Sequence, residues 1–340
     1  MTAEKMAEYL WGLPQQFKTI LDQGVKLPAR YKRAYRNLVV TGLGGSAIGG
    51  DILRTWTLAR LGIPLLVNRD YELPGFVNQD TLVVAVSYSG QTEETLAAYQ
   101  QAIDRGAQVI VVTSGGRLAD MAAQDDSAVV KIPGGLSPRA ASGYLFAPLA
   151  LILEELGLIE GAVRELAETV QVLLAVREDI HPGAEGPDNQ ARLIAQDLQG
   201  NLPVIWGSSA RSEIAAMRWK TQINENAKSP AYFNSFPELN HNEIVGFEEP
   251  ADLLARWVVI ILRDPEDNSR VQRRMDISTG IIRRQIQKII EVQARGESWL
   301  ARFYSLVYVG DYASYYLAQA YGINPTPVAV IDYLKAELAK

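Results

Sequence analysis

"TGLGGSAIGGD" at residues 41–51 and "SYSGQTEET" at residues 87–95 decide the fold. Each follows an apolar, β-branched run, NLVV at 37–40 and TLVVAV at 81–86, and each passes into a helix-compatible segment. Strand, glycine-rich turn and helix in that order form the unit of a parallel α/β sheet, whose ligands sit beyond the C-terminal strand ends. In the first loop Gly42, Gly44 and Gly45 permit close backbone approach, and Ser46 sets a hydroxyl beside helix-terminal amides. In the second, Ser87, Ser89 and Thr92 place three hydroxyls around Gly90, a nest suited to a compact phosphate.

Similar runs recur on either side of these loops. PLLVN (64–68), QVIVVTS (108–114) and AVVKIP (128–133) read as further strands of one sheet. A long helical region from about 140 to 180 follows, and HPGAEGPDNQ (181–190) concentrates Pro, Gly, Asp and Asn as an exposed connection does. The second half repeats the pattern in LPVIWGSSARSEIAAMRWKTQI (202–223), with WVVIILRD (257–264) and SLVYVGDYASYYLAQAYGI (305–323) read as additional strands. The expectation is therefore an α/β protein of two doubly wound, mostly parallel sheet domains in tandem, residues 1–180 and 191–340, joined by a linker at 181–190. The first domain opens with an amphipathic helix ended near Pro14.

Composition restricts the partners. A net charge of −6 and a pI near 5.2 disfavour nucleic acid, which is bound through clustered Lys and Arg. The absence of cysteine removes disulfides, thiol nucleophiles and Cys-ligated zinc, and two histidines are too few for a His-rich metal site. The longest apolar stretch, LFAPLALIL at 145–153, is about half of what a membrane span requires, and the N-terminus lacks the pattern of a secretory leader. A cytoplasmic protein without membrane or nucleic-acid partners is expected.

Glycine and serine can serve merely as turn formers and helix caps. Capping needs one hydroxyl, however, and the two loops together present four. Gly42-x-Gly44-x-x-Ala47 also fits a relaxed dinucleotide fingerprint, but the acidic Asp70 lies 28 residues past Gly42 rather than about 20. That reading leaves the 87–95 loop unexplained, so a phosphomonoester is the better ligand.

GLGGSAIGGD (42–51), SYSGQTEET (87–95), SPRAASGYLF (137–146), NENAK (224–228), PELNHNE (237–243) and TPVAVIDYLK (326–335) together resemble the bifunctional phosphoglucose/phosphomannose isomerases, enzymes of two sugar isomerase (SIS) domains. The resemblance runs over nearly the whole chain, in order. It implies a metal-free and cofactor-free aldose–ketose isomerase that interconverts glucose 6-phosphate, fructose 6-phosphate and mannose 6-phosphate. It further implies that Gly45, Ser46, Ser87, Ser89 and Thr92 bind the phosphate and that Glu225 moves the proton between C2 and C1. Arg139 is expected beside the enediolate, His241 assists ring opening, and Lys335 contacts the sugar. A homodimer with His241 donated across the interface is also implied. Gln91 stands where the family more often has Asn, and Leu43 where Met is frequent.

Metal-free isomerisation needs a carboxylate base for a weakly acidic C–H, donors for the developing oxyanion, and an acid/base for the ring oxygen. Glu225, Arg139, Lys335 and His241 supply those types. Each also has a plain alternative: a solvated helix carboxylate, a surface ion pair, a lysine flanking the apolar stripe of the last helix, and a loop histidine. Glu238 and Glu243 are the next carboxylates to consider, while His181 belongs to the connection. A non-catalytic sugar-phosphate regulator remains the principal rival, since phosphate loops alone move no proton.

Overall fold

The computed structural model describes residues 3–184 and 189–338, so part of the expected linker, residues 185–188, lies outside the described residues. Among the described residues two compact units form, residues 12–172 with 296–301, and residues 3–11 with 173–184, 189–295 and 302–338.

The first unit is a five-stranded, all-parallel sheet built from β1 (Asn37–Thr41), β2 (Leu65–Asn68), β3 (Thr81–Ser87), β4 (Gln108–Thr113) and β5 (Ala128–Lys131). Their order is β2-β1-β3-β4-β5. Seven consecutive buried residues in β3 reflect a sheet covered on both faces, which is why these strands read as continuous apolar runs. One face packs Val39, Val83, Val109 and Val111 against Tyr99, Ala102, Leu118 and Ala122. Because the chain reverses between β1 and β3 at the middle of the sheet, and Thr41 pairs with Ala85, their following loops lie side by side.

The second unit holds β6 (Leu202–Ser208), β7 (Tyr232–Phe236), β8 (Trp257–Arg263) and β9 (Lys288–Gln293) in the order β7-β6-β8-β9, again all parallel. Trp206, Val259 and Ile261 meet Phe236, Leu239, Phe247 and Met275 in its core. Trp206 stands edge-on to both Phe236 and Phe247 at 5.6 and 5.5 Å, an arrangement that aromatic quadrupoles favour.

Three local expectations need correction. The segment 305–323 is not strand but the second part of a helix, Trp299–Ala320. Tyr304, Tyr308, Tyr312 and Tyr316 recur every fourth residue and all are buried, so an apolar helix enclosed by protein mimics a strand's composition. Burial raises the phenols of Tyr308 and Tyr312, keeping both neutral. The leading helix, Ala3–Trp11, breaks at Gly12; Pro14 lies instead in the first turn of the next helix, Leu13–Gln23, where its missing N–H has no intrahelical partner to lose. Finally, β7 and β9 were not expected: YFNSF and KIIEVQ are short edge strands whose residues are mostly exposed or half-buried, and neither shows the continuous apolar run of a central strand.

Candidate active site

Backbone geometry shapes the first glycine-rich loop. After Thr41 the chain enters the helix Gly45–Thr57 through Gly44, which has φ +54 and ψ −126, a conformation that L side chains avoid. A side chain at Gly42 would place its Cβ 2.7 Å from the Val86 carbonyl, so β1 and β3 leave no room for one. Ser46 is buried in the first turn of this helix, whose N-cap has no side-chain hydrogen bond. The helix therefore presents first-turn amides and a hydroxyl together, at its partially positive end.

The second loop is organised by its own hydroxyls. Ser87 Oγ and Thr92 Oγ1 lie 2.9 Å apart, the Gly90 amide donates to Ser87 Oγ at 3.1 Å, and the Gln91 amide donates to Ser89 Oγ at 3.2 Å. Ser87 is fully buried, Thr92 half-buried and Ser89 exposed, so the hydroxyls step outward from the sheet. Thr92 is the N-cap of the helix Glu93–Asp104 but makes no cap bond with its side chain. Its hydroxyl faces Ser87 instead, and the helix amides are left to a ligand.

Arg139 lies on the 3-10 turn Pro138–Ala140 just before the helix Ser142–Glu155, and it is buried. The adjacent Pro138 carbonyl is 3.1 Å from where a Cβ on Gly45 would stand, which sets the Arg139 turn directly against the first glycine-rich loop. Two residues that the sequence did not single out hold this turn. Buried Gln16 donates to the Ala140 carbonyl at 2.8 Å and accepts from the Gly143 amide at 3.0 Å. Tyr88, inside the second loop, accepts from the Leu136 amide and donates to the Pro133 carbonyl, both at 3.0 Å. Gln16 would have been found by asking why a polar residue sits on the buried side of an amphipathic helix.

In the second unit Glu225 occupies a wide π turn, Ile223–Ala227, that ends the helix Glu213–Gln222, and it is half-buried. Its neighbours are anchored on the helix Trp299–Ala320. Gln222 donates to Asp311 at 2.9 Å, Asn226 donates to Ser314 at 2.9 Å, and Arg218 grips Asp311 through two bonds at 3.1 and 2.7 Å. An enclosed, fully hydrogen-bonded pair of this kind fixes geometry more than it adds stability. Lys228, with φ +55, donates to the carbonyls of Glu225 and of Pro327, the latter at 2.7 Å. That contact ties the Glu225 turn to the foot of the helix Ala329–Leu338, which carries Lys335.

Glu243 is a structural carboxylate: Trp206 donates to it at 2.7 Å and Asn234 also binds it. Glu238 is exposed and accepts from Asn242 at 3.0 Å. His241 is exposed at the end of the 3-10 turn Glu238–His241, and Lys335 is exposed on a helix with no buried residue. His181 sits edge-on to Trp11 at 5.2 Å and accepts from the Gly183 amide.

The chain matches known families over both halves. The SIS domain matches residues 33–133, and the bacterial phospho-glucose isomerase C-terminal SIS domain matches residues 187–338. A bifunctional phosphoglucose/phosphomannose isomerase of Caldicellulosiruptor bescii is 47% identical over 336 residues, covering 98% of this chain and 99% of that one. The enzyme of the same name from Aquifex aeolicus is 36% identical over 307 residues, 90% of this chain and 91% of its own. Among solved structures, a hypothetical protein from Thermus thermophilus shares the fold with a TM-score of 0.76 at 17% identity, covering 98% of this chain and 90% of that one. Sequence likeness of this extent, carried through both sheets, makes the chain a member of the bifunctional phosphoglucose/phosphomannose isomerase family.

Proposed function

We propose that the chain is an aldose–ketose isomerase that interconverts glucose 6-phosphate, mannose 6-phosphate and fructose 6-phosphate through an enediolate, without a metal or other cofactor. The observation that carries this reading is the paired Ser87 and Thr92 hydroxyls before a helix whose N-terminus has no side-chain cap. Gly45, Ser46 and Ser89 complete the phosphate set, and the names of the relatives select hexose 6-phosphates among phosphate esters.

Holding the ester at this loop uses binding energy far from the reacting carbons to position C1 and C2. Glu225 removes the proton from C2 and returns it to C1, while a proton passes from the C2 hydroxyl to O1. Arg139 and Lys335 stabilise the enediolate oxygens, and His241 protonates and deprotonates the ring oxygen during opening.

His241 acts from the second subunit of a twofold homodimer in this reading. Its support is the surface around it: Tyr232 and Phe233 on the edge strand β7 and Val245 after the His241 turn are exposed, Tyr232 by 58% and Val245 by 66%. Apolar side chains on an unpaired strand edge favour coverage by another copy.

The deciding assay couples fructose 6-phosphate turnover to detection of glucose 6-phosphate, repeated with mannose 6-phosphate and with chelator present. Turnover of both aldoses, undiminished by chelator, is expected. Saturable binding without turnover would favour a sugar-phosphate regulator.

A further inference from the structure

The second unit contains the same strand-turn-helix unit as the phosphate loop, at the same length. Thr41 pairs with Ala85 across β1 and β3, and Trp206 pairs with Ile261 across β6 and β8. In each unit the helix N-cap falls five residues past the strand's last residue, Thr92 after Ser87 and Asn268 after Arg263. SYSGQT (87–92) is thus replaced by RDPEDN (263–268). Neutral hydroxyls and a glycine have given way to three carboxylates.

Those carboxylates take the donors that an anion would take. Asp267, only 5% exposed, accepts from Ser208 Oγ at the end of β6 and from the Asp264 amide at 3.0 Å. Asp264 accepts from the Glu266 amide and from Arg302 Nε, both at 2.9 Å. Glu266 accepts from Arg302 Nη2 at 2.7 Å and from Arg211 at 3.1 Å. Asn268 caps its helix by accepting from the Arg270 amide at 2.9 Å, whereas Thr92 makes no such bond. Three negative charges face two positive ones, so a phosphate entering here would meet net repulsion at short range.

We propose that the second sheet retains an anion position at the ends of β6 and β8, and that the chain's own Asp267 carboxylate occupies it, leaving one phosphate site per chain. The second unit has become a scaffold for Glu225 because its ligand position is filled internally. The inference uses the proposed function only in assigning phosphate to the 87–92 loop.

Asp267→Gly removes the internal anion, and Asp267→Asn keeps an acceptor in its place. Melting temperatures are measured against inorganic phosphate at constant ionic strength, with chloride as reference. Asp267→Gly is expected to melt lower than wild type and to gain several degrees more from saturating phosphate than wild type or Asp267→Asn does, as binding to the folded state alone requires. An equal gain in all three proteins overturns the inference, as does an Asp267→Gly chain that stays unfolded with phosphate present while Asp267→Asn folds. Hexose-phosphate turnover by Asp267→Gly, read in the same preparation, separates failure of this inference from failure of the isomerase reading.

Discussion

Ser87 Oγ and Thr92 Oγ1 stand 2.9 Å apart across the turn that joins β3 to its helix, and the Gly90 amide donates into the same pair. Such a hydroxyl pair at a helix entry, held by a loop amide, is the arrangement that the proposed phosphate seat requires. Replacing Ser87 by Ala removes one of its donors. Hydrogen bonds to charged groups contribute about 1.5–3 kcal/mol, so kcat/KM for hexose 6-phosphates should fall on the order of 10- to 100-fold. Steady-state kinetics on fructose 6-phosphate checks this, and an unchanged kcat/KM would remove Ser87 from the phosphate set.

Glu225→Gln keeps the shape of the π turn and deletes the proposed base. A fall in kcat of about 10²- to 10⁴-fold is expected, with KM nearly constant. Glu243→Gln is the contrast, because Glu243 holds Trp206 and Asn234. There the loss should appear in the urea midpoint, with turnover per folded molecule preserved.

Subunit mixing tests the shared site. Glu225→Gln and His241→Ala homodimers should each be nearly inactive. Random exchange between them makes half of the dimers mixed, each with one intact site, so about one quarter of wild-type activity returns in a twofold dimer. Activity that never recovers on mixing would place His241 in the same subunit's site, and an active His241→Ala homodimer would place it outside.

Gly90 has φ +66, and a Cβ there would lie 1.8 Å from the Gly115 carbonyl. Gly90→Ala must move the 113–116 turn and adopt a left-handed conformation at once. A stability loss of about 3 kcal/mol or more is expected, together with weakened phosphate affinity. Chemical denaturation and the substrate KM report the two effects separately.

Burial pushes the Asp267 carboxyl above its ordinary value, although its Ser208 and backbone hydrogen bonds act against that shift. A folded-state value above the unfolded one means that the folded chain keeps this proton longer. The resulting stability is fully present below the unfolded pKa and is lost as pH rises through the folded one. Asp267→Asn should therefore gain stability relative to wild type on going from about pH 4 to about pH 7, as read from urea midpoints. A constant difference across that range would mean that Asp267 titrates alike in both states.

Glycines 42, 44, 45 and 90, the hydroxyls between them and the β-branched runs before them determined the first sheet, its doubly covered character and the position of the two glycine-rich loops. Those features are local: a strand buried on both faces is apolar throughout, and a left-handed turn favours glycine. Glu225, in an amide-rich turn, is a candidate base only through likeness to known enzymes. What tertiary structure alone decided was which polar groups meet across long separations. The Gln16 clamp on the Arg139 turn, the Asp311 anchor beneath the Glu225 turn and the Asp267 carboxylate on Ser208 each join residues far apart in the chain. The tyrosine-rich helix Trp299–Ala320 reads as strand for a different reason: its β-branched and aromatic composition masks the four-residue recurrence of Tyr304, Tyr308, Tyr312 and Tyr316.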